Sequence, residues 1–566
     1  MTFSSGLNVI DALAYSSWNK APHTSANVTY SFLSIVPAEA TTEDALLFAP
    51  LTLGQQQAVH DVFEMWSSIA NITFVDVTDA AGNNGQIRFG TNDQKNESAG
   101  YSDLPNYGKI GSFVYTYFSN TYNKNFIFSP GTYGLTVFLH EIGHALGLKH
   151  PGNYNGTDGS GTRPYLPTDV DNTDYSLMSY NDGKAYLTTG QNPITPMLYD
   201  ISALQYLYGA NTSWHTGNDV YRFDNFSKPQ SVWDAGGNNT FDFSATTLGV
   251  TIDLHEGAFS ESRPGAHNIS IAYGVTIQNA IGGTGDDKIY ANDGNVSVSS
   301  GAGDDQIWVG SGLDNINGGS GNDTVLFNHT LSNYTLSRNG DVYTVLAKTG
   351  ITGTDTITNV ETLKFSDLTV NLTIRAIAAT APQENVNRLM ELYVAFFNRV
   401  PDADGLAYWI GQMGTGQKVN QIAETFYGLG VQFSTLTGFS ATMSNADFIN
   451  LVYKNVLGRS AGADTEGLNY WNAKLLDGSA THGSLVSTIL DAAHGFKGDV
   501  TWGWVANLLD NKITVAKTFS IDMGLGYALS SDSITHGMAI AAAVTPIDTA
   551  AALSLIGIAP ADINLI

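Results

Sequence analysis

The stretch HEIGHALGLKH at residues 140–150 puts three histidines and a glutamate where one metal ion could be held and a water activated. His140 and His144 are four residues apart, so on a helix their imidazoles stand one above the other on a single face. Glu141 follows the first histidine, about a third of a turn round. Gly147 can take the left-handed conformation that ends a helix, letting the chain turn back so that His150 supplies a third nitrogen. Three neutral imidazoles hold Zn²⁺ at roughly 2.0–2.1 Å and leave a position open for water, whose pKa falls to about 7. The chemistry on offer is metal-assisted hydrolysis. The alternative is a helix with incidental core histidines, and five fixed positions with separate physical jobs weigh against it. The 566 residues include no cysteine, so a metal must be held by His, carboxylate, Tyr or carbonyl oxygen.

The elements that must carry these residues are legible in the apolar spacing. Leu135, Phe138, Leu139, Ile142, Ala145 and Leu146 form a helical stripe, which makes YGLTVFLHEIGHALGL one buried helix. QQQAVHDVFEMWSSIA reads as a second helix through Val59, Val62, Phe63, Trp66 and Ile69, and NITFVDV and QIRFG read as strands. Residues 25 to 210 are thus an α+β unit. GSFVYTYFSN at 111–120 is the candidate edge strand on which a substrate backbone would lie, or else an interior strand without substrate contact.

Beyond the third histidine come PGNYNG and, at 175–180, YSLMSY. With the extended histidine motif these resemble the serralysin branch of the metzincin metalloproteases, and the likeness runs on through PMLYDISALQYLYGAN to cover roughly residues 8 to 330. The resemblance implies that His140, His144 and His150 are zinc ligands and Glu141 the catalytic base. It implies that Met178 lies under the metal in a tight turn. Tyr180 would be a further, displaceable zinc ligand and a catalytic residue that hydrogen-bonds the tetrahedral oxyanion; without the histidines it would read as a core tyrosine.

Fifty-two acidic residues against 25 basic give a formal charge of −27, which argues against nucleic acid and anionic membrane and leaves cation binding to be located. From residue 282 the chain reads GGTGDDKIY, ANDGNVSVS, SGAGDDQIW, VGSGLDNIN and GGSGNDTVL, consecutive windows of nine. This resembles the GGxGxDxUx repeat of the calcium-binding β-roll in RTX-type secreted proteins. The candidate calcium ligands are Gly283, Gly285 and Asp287, then Gly301, Gly303 and Asp305, then Gly310, Gly312 and Asp314, then Gly319, Gly321 and Asp323. A turn of the roll holds two windows, so each ion lies between windows two steps apart. The windows at 282, 300 and 318 would form two good sites. The pair 291 and 309 has Val296 in place of an aspartate, so that site is expected weak or empty. Upstream, HTGNDVY and WDAGGNNTFDF resemble additional serralysin calcium loops, with Gly217, Asp219, Asp234, Gly236 and Gly237 as ligands and Asn239 where the family has aspartate.

Serralysins end soon after the roll, and this chain does not. LYVAFFNRVPDADGLAYW at 392–409 and VYKNVLGRSAGADTEGLNYW at 452–471 are two versions of one unit, with Arg399 matching Arg459 and Trp409 matching Trp471. The pair resembles a helical domain of unassigned function found in bacterial exported and surface-layer-associated proteins. PDADG and AGADTEG read as turns between helices, with calcium loops as the alternative.

The start of the chain lacks the basic segment and apolar core of a secretory signal peptide, and no apolar run suggests a transmembrane segment. The resemblance instead implies export through an ABC-type secretion apparatus and folding outside, where calcium sites with dissociation constants of about 10⁻⁴ to 10⁻³ M would fill. The predicted chain is multidomain: an α+β metzincin catalytic domain over 1–212, a parallel β-roll (RTX) domain over 213–375, a mainly α-helical domain over 383–515, and a C-terminal segment over 516–566 ending DINLI, a type I secretion signal. The predicted function is an extracellular, secreted bacterial zinc endopeptidase acting on protein or peptide substrates. It would carry one catalytic Zn²⁺ and several structural Ca²⁺, with the helical domain as a route to a cell-surface or surface-layer component. The rival is a non-catalytic surface or adhesion protein over a dead protease fold, against which stands the intact Glu141.

Overall fold

The computed structural model describes residues 4–19, 21–38, 40–78, 85–94, 98–105, the strand at 112–117, 127–154, 163–348 and 353–565. The chain divides into two compact units, Met1–Asp305 and Gln306–Ile566, with the division inside the Gly-Asp repeats.

The first unit begins with strand β1 (Ala26–Phe32), helix α1 (Leu53–Ile69), β2 (Ile72–Asp76), β3 (Ile87–Asn92), β4 (Gly100–Ser102) and β5 (Ser112–Tyr117). The sheet order is β2-β1-β3-β5-β4, all parallel except β4, which runs antiparallel to β5. Helix α1 forms where the spacing predicts it because its whole stripe, Val59, Val62, Phe63, Trp66 and Ile69, is buried. Its start is fixed by a capping box in which the Gln55 amide donates to Thr52 Oγ1 (3.3 Å) and the Thr52 amide to Gln55 Oε1 (2.8 Å). Phe63 then stacks on Phe74 of β2 at 3.8 Å between ring centroids. Helix α2 (Tyr133–Ala145) carries the metal motif and is buried on nearly every side.

One expectation is corrected here. The strand within GSFVYTYFSN is interior, paired to β3 on one side and β4 on the other, and the edge is Gly100–Ser102. Residues 111 and 118–120 of that stretch lie outside the described residues. The short β4, with little apolar content of its own, offers no alternation to read.

After helix α3 (Leu198–Tyr208) the unit turns into short strands: β6 (Val220–Arg222), β7 (Thr240–Asp242), β8 (Thr251–Asp253), β9 (Asn279–Ile281), β10 (Lys288–Tyr290) and β11 (Ser297–Ser299). They stack in parallel ladders, β6-β7-β9-β11 and β8-β10. Asn279 faces Ser297, eighteen residues on, which is the two-window step of a roll. In β7, β9, β10 and β11 the middle residue, Phe241, Ala280, Ile289 or Val298, points inward.

The second unit continues the same pattern with β12 (Gln306–Trp308), β13 (Asn315–Asn317) and β14 (Thr324–Leu326), Gln306 facing Thr324. A hairpin of β15 (Tyr334–Asn339) and β16 (Val342–Ala347) follows, then β17 (Thr354–Thr358), β18 (Thr362–Lys364) and β19 (Leu368–Asn371). Helices α4 (Gln383–Phe397), α5 (Ala403–Gly414), α6 (Val419–Gln432), α7 (Asn445–Leu457), α8 (Thr465–Leu476), α9 (His482–His494) and α10 (Gly503–Lys517) form the predicted helical region. The sequences PDADG and AGADTEG are helix starts: Asp402 and Asp464 accept from the amides of Gly405 (2.7 Å) and Gly467 (2.8 Å).

The C-terminal stretch is more ordered than its weak periodicity suggests. Strand β20 (Leu525–Tyr527) pairs with β19, Ser530–Ala543 forms helix α11 on the intrinsic preference of its alanines, and β21 (Ile563–Asn564) pairs with β15. Among the described residues no helix is long and apolar enough to cross a membrane.

Candidate metal centre

The three predicted histidines meet. His140 and His144 project from α2, and the chain after the helix turns back to bring in His150, whose Nε2 lies 3.0 Å from both His140 Nε2 and His144 Nε2. The turn depends on Gly147 at φ +106°, where a Cβ would stand 1.8 Å from the carbonyl oxygen of Ser16. The tautomers follow from the outer nitrogens. His140 Nδ1 is 2.8 Å from Leu177 O and His144 Nδ1 is 2.7 Å from Leu148 O. A carbonyl only accepts, so each Nδ1 carries the proton and each Nε2 turns a lone pair inward. Converging lone pairs at this separation repel one another without a cation, and a donor set of three neutral imidazoles fits Zn²⁺.

Met178 is fully buried and follows Leu177, whose carbonyl meets His140 Nδ1. Gly143, inside the motif, makes room for it: a Cβ there would be 2.8 Å from Met178 Sδ and 3.3 Å from Trp66 Cζ2. The turn itself is held by Asp200 of α3, which is wholly buried. Its Oδ1 accepts from Ser176 Oγ (2.6 Å), and its Oδ2 accepts from the amides of Leu177 (2.8 Å) and Met197 (2.9 Å). Burial pushes the Asp200 carboxyl up to about 6, against three hydrogen bonds that favour the anion.

Tyr180 is 53 % exposed, so it is no core tyrosine. Its ring lies 4.4 Å from that of His150 and stacks on Tyr154 at 5.0 Å. Tyr154 is itself fixed, its hydroxyl bonded to Asp171 and 3.1 Å from Ser179 Oγ. Glu141 is buried next to the first ligand and is bordered by the edge strand: a Cβ at Gly100 would stand 2.8 Å from Glu141 Cγ and 3.0 Å from its Oε1. Gly100, Gly143, Tyr154 and Asp200 were not picked out from the sequence as site residues. The Gly after HE-Ile, and the Asp of PMLYD beside an apolar helix, are the only signals that could have found any of them.

The candidate calcium residues fall into separate groups. In the first unit Asp287 and Asp305 are both buried, the Asp287 amide donates to Asp305 Oδ1 (2.8 Å), and Asp287 accepts from the amides of Gly283 (2.8 Å) and Val250 (2.9 Å). Gly301 approaches Gly283, and Gly303 approaches Gly285, closely enough that no side chain would fit. Burial raises the Asp287 carboxyl to about 6 and also raises that of Asp305, as expected of carboxylates placed for a cation. Val296 is buried at the corresponding place one window on. In the second unit Asp314 and Asp323 are buried, Gly310 donates to Asp314 Oδ2 (3.2 Å), Gly319 and Gly321 take positive φ, and Gly312 lies against Gly353. The upstream loops also meet. Gly237 abuts Gly217, Asp234 accepts from the Gly236 amide (2.9 Å), and Asp219 and Asp234 gather with His215, a neighbour not foreseen from the sequence. Asn239 accepts from the Asp219 amide (3.0 Å).

Two family models and several curated proteins match parts of the chain. The family described as Matrixin matches residues 51–156, and the family described as Peptidase M10 serralysin C terminal matches 199–416. Over these residues the chain is similar to the serralysin-type metalloproteases. Similar curated proteins are Serralysin of Proteus mirabilis, 41% identical over 271 residues, 42% of this chain and 54% of that one. Serralysin C of Dickeya chrysanthemi is 37% identical over 309 residues, covering 48% of this chain and 60% of that one. Metalloprotease AprA of Pseudomonas entomophila (strain L48) is 34% identical over 288 residues, covering 47% and 59%. The chain thus spans between half and two thirds of the length of these relatives. Outside the serralysin-type part, residues 433–495 match a domain of unknown function, DUF4214.

Proposed function

We propose that the chain is a secreted zinc endopeptidase. The observation that carries the reading is the convergence of three imidazole nitrogens beside a buried glutamate that borders the edge strand of the sheet among the described residues. His140, His144 and His150 would hold Zn²⁺, which when bound supplies Lewis acidity and an acidified water. Glu141 takes a proton from the attacking water and delivers it to the departing amine as the peptide C–N bond breaks and the new C–O bond forms. Tyr180, exposed and stacked on Tyr154, donates its hydroxyl to the oxyanion. An extended substrate adds to the edge at β4, which aligns its scissile carbonyl with Glu141.

Calcium at the Gly-Asp turns stabilises the fold, with Asp287 and Asp305 as the best-supported ligands. Export by an ABC-type apparatus and folding outside suit a chain with no cysteine and many calcium turns. The helical region is the part that would contact a cell-surface component. The non-catalytic rival has no observation in its favour among the described residues.

The test is casein hydrolysis by calcium-refolded protein together with its zinc content. Activity that is lost on chelation and restored by one equivalent of Zn²⁺ supports the reading. Full zinc occupancy with no cleavage of casein, gelatin or a peptide library would count against it.

A further inference from the structure

The helical repeat holds one cassette twice, and the first copy opens on a cavity. In the first copy Arg399 lies over the ring of Tyr393 (5.3 Å) and donates to Asp402 (3.0 Å), and Trp409 hydrogen-bonds the Tyr393 hydroxyl. In the second, Arg459 lies over Tyr453 (5.4 Å) and donates to Asp464 (3.2 Å), and Trp471 donates to the Tyr453 hydroxyl (2.8 Å). The copies diverge at the guanidinium. Arg459 is also covered by the ring of Trp502, 4.5 Å from its centroid. Arg399 instead borders a cavity of about 460 Å³, within the range of small-molecule sites. The cassette is scaffold in both copies; this cavity is lined by the first.

We propose that this cavity binds a pyranose sugar. Its walls include Tyr393 of α4, Trp409 of α5, Phe433 just past the end of α6, and Tyr527 of β20. Phe433, at the rim, is 49 % exposed. Between the rings stand Arg399, Asp402, Asp404 and the hydroxyls of Ser530 and Ser533. Tyr527 is stacked between Phe519 and His536 and Tyr393 lies under Arg399, so the exposed ring of Phe433 is the one that offers an apolar face to the C–H side of a pyranose, and the mixture of donors and acceptors suits its hydroxyl edge. Other chemistries fit less well. Two carboxylates outnumber one guanidinium, and Arg399 is already engaged by Asp402 and Ser533 (3.0 Å each), so an anionic ligand finds no free positive charge. A wholly apolar ligand would strip water from Asp404 and the serines and return no hydrogen bond. The sugar would give the surface-contact reading of the helical region its chemical class.

The experiment is saturation-transfer difference NMR on the calcium-loaded full chain, titrated with the methyl glycosides of glucose, galactose, mannose and N-acetylglucosamine. At least one glycoside should bind saturably. Its affinity should fall tenfold or more in Phe433→Ala and in Asp404→Ala, both at accessible positions, with the far-UV circular dichroism unchanged. Tyr470→Ala, the exposed tyrosine of the second copy, should leave it unaltered. Binding of none of the four, or equal binding by wild type and both cavity variants, overturns the proposal. Free sugars are used without cells, so failure of the chain to adhere to a cell surface is a separate result, as is any failure of the protease reading.

Discussion

Gly100 and Glu141 are in contact across the cleft: the α-carbon of the edge strand leaves no room for a side chain over the carboxylate. The floor that would align a substrate and the group that would act on it are therefore built as one piece. Gly100→Ala places a methyl 2.8 Å from Glu141 Cγ, so the glutamate must turn away. We expect kcat to fall by about 10²-fold, the cost of displacing a catalytic group by an ångström. Zinc content and thermal stability should stay near wild type. Unchanged kcat in a folded, zinc-loaded variant would show that Glu141 has slack the structure does not show.

Tyr180→Phe removes the hydroxyl and keeps the ring that stacks on Tyr154. The three histidines still hold the metal, so zinc binding should persist while kcat drops by about 10²-fold, the usual worth of one oxyanion donor. A rise in KM alone would instead assign Tyr180 to substrate binding.

Asp200→Ala leaves the amides of Leu177 and Met197 buried without their acceptor, at a cost of about 2–4 kcal/mol in urea unfolding. The same residue carries a pH signature. Its folded pKa of about 6 lies above the unfolded value of about 3.9, so the folded state keeps a proton that the unfolded state has lost. Its contribution to stability falls as pH rises from about 4 to about 6 and is flat above. Comparing wild type with the alanine variant at pH 4.5 and pH 7 isolates that slope. Equal slopes in the two proteins would remove Asp200 as its source.

Removing calcium should leave Asp287 and Asp305 buried with no compensating cation. A chelator should lower the melting temperature of the wild type markedly, and that of Asp287→Asn less. No chelator effect on the wild type would mean that the Gly-Asp turns hold no structural ion.

Much of this site is local in sequence, which is why it could be read there. His140 and His144 are fixed by one helical turn, His150 by the glycine three residues before it, and the Asp287 and Asp305 turns by a register of nine. What escaped is tertiary. Gly100 matters because of a glutamate on a different element, and Asp200 because it reaches back over twenty residues to the turn at Met178. The edge strand was misplaced by one position because β5 has a strong strand pattern and β4 almost none. Helix α11 was missed for a related reason: its alanines favour a helix without marking a face. Equivalent sequence in the two helical cassettes likewise gave no hint that Arg399 borders a cavity while Arg459 lies under Trp502.

The most direct test of the central claim compares wild type with Glu141→Ala in casein hydrolysis at equal zinc content. The account predicts that the variant keeps its zinc and loses activity by a factor of about 10³ or more. Activity close to wild type in the zinc-loaded variant would contradict it, because no role would then remain for the buried carboxylate at the centre of the site.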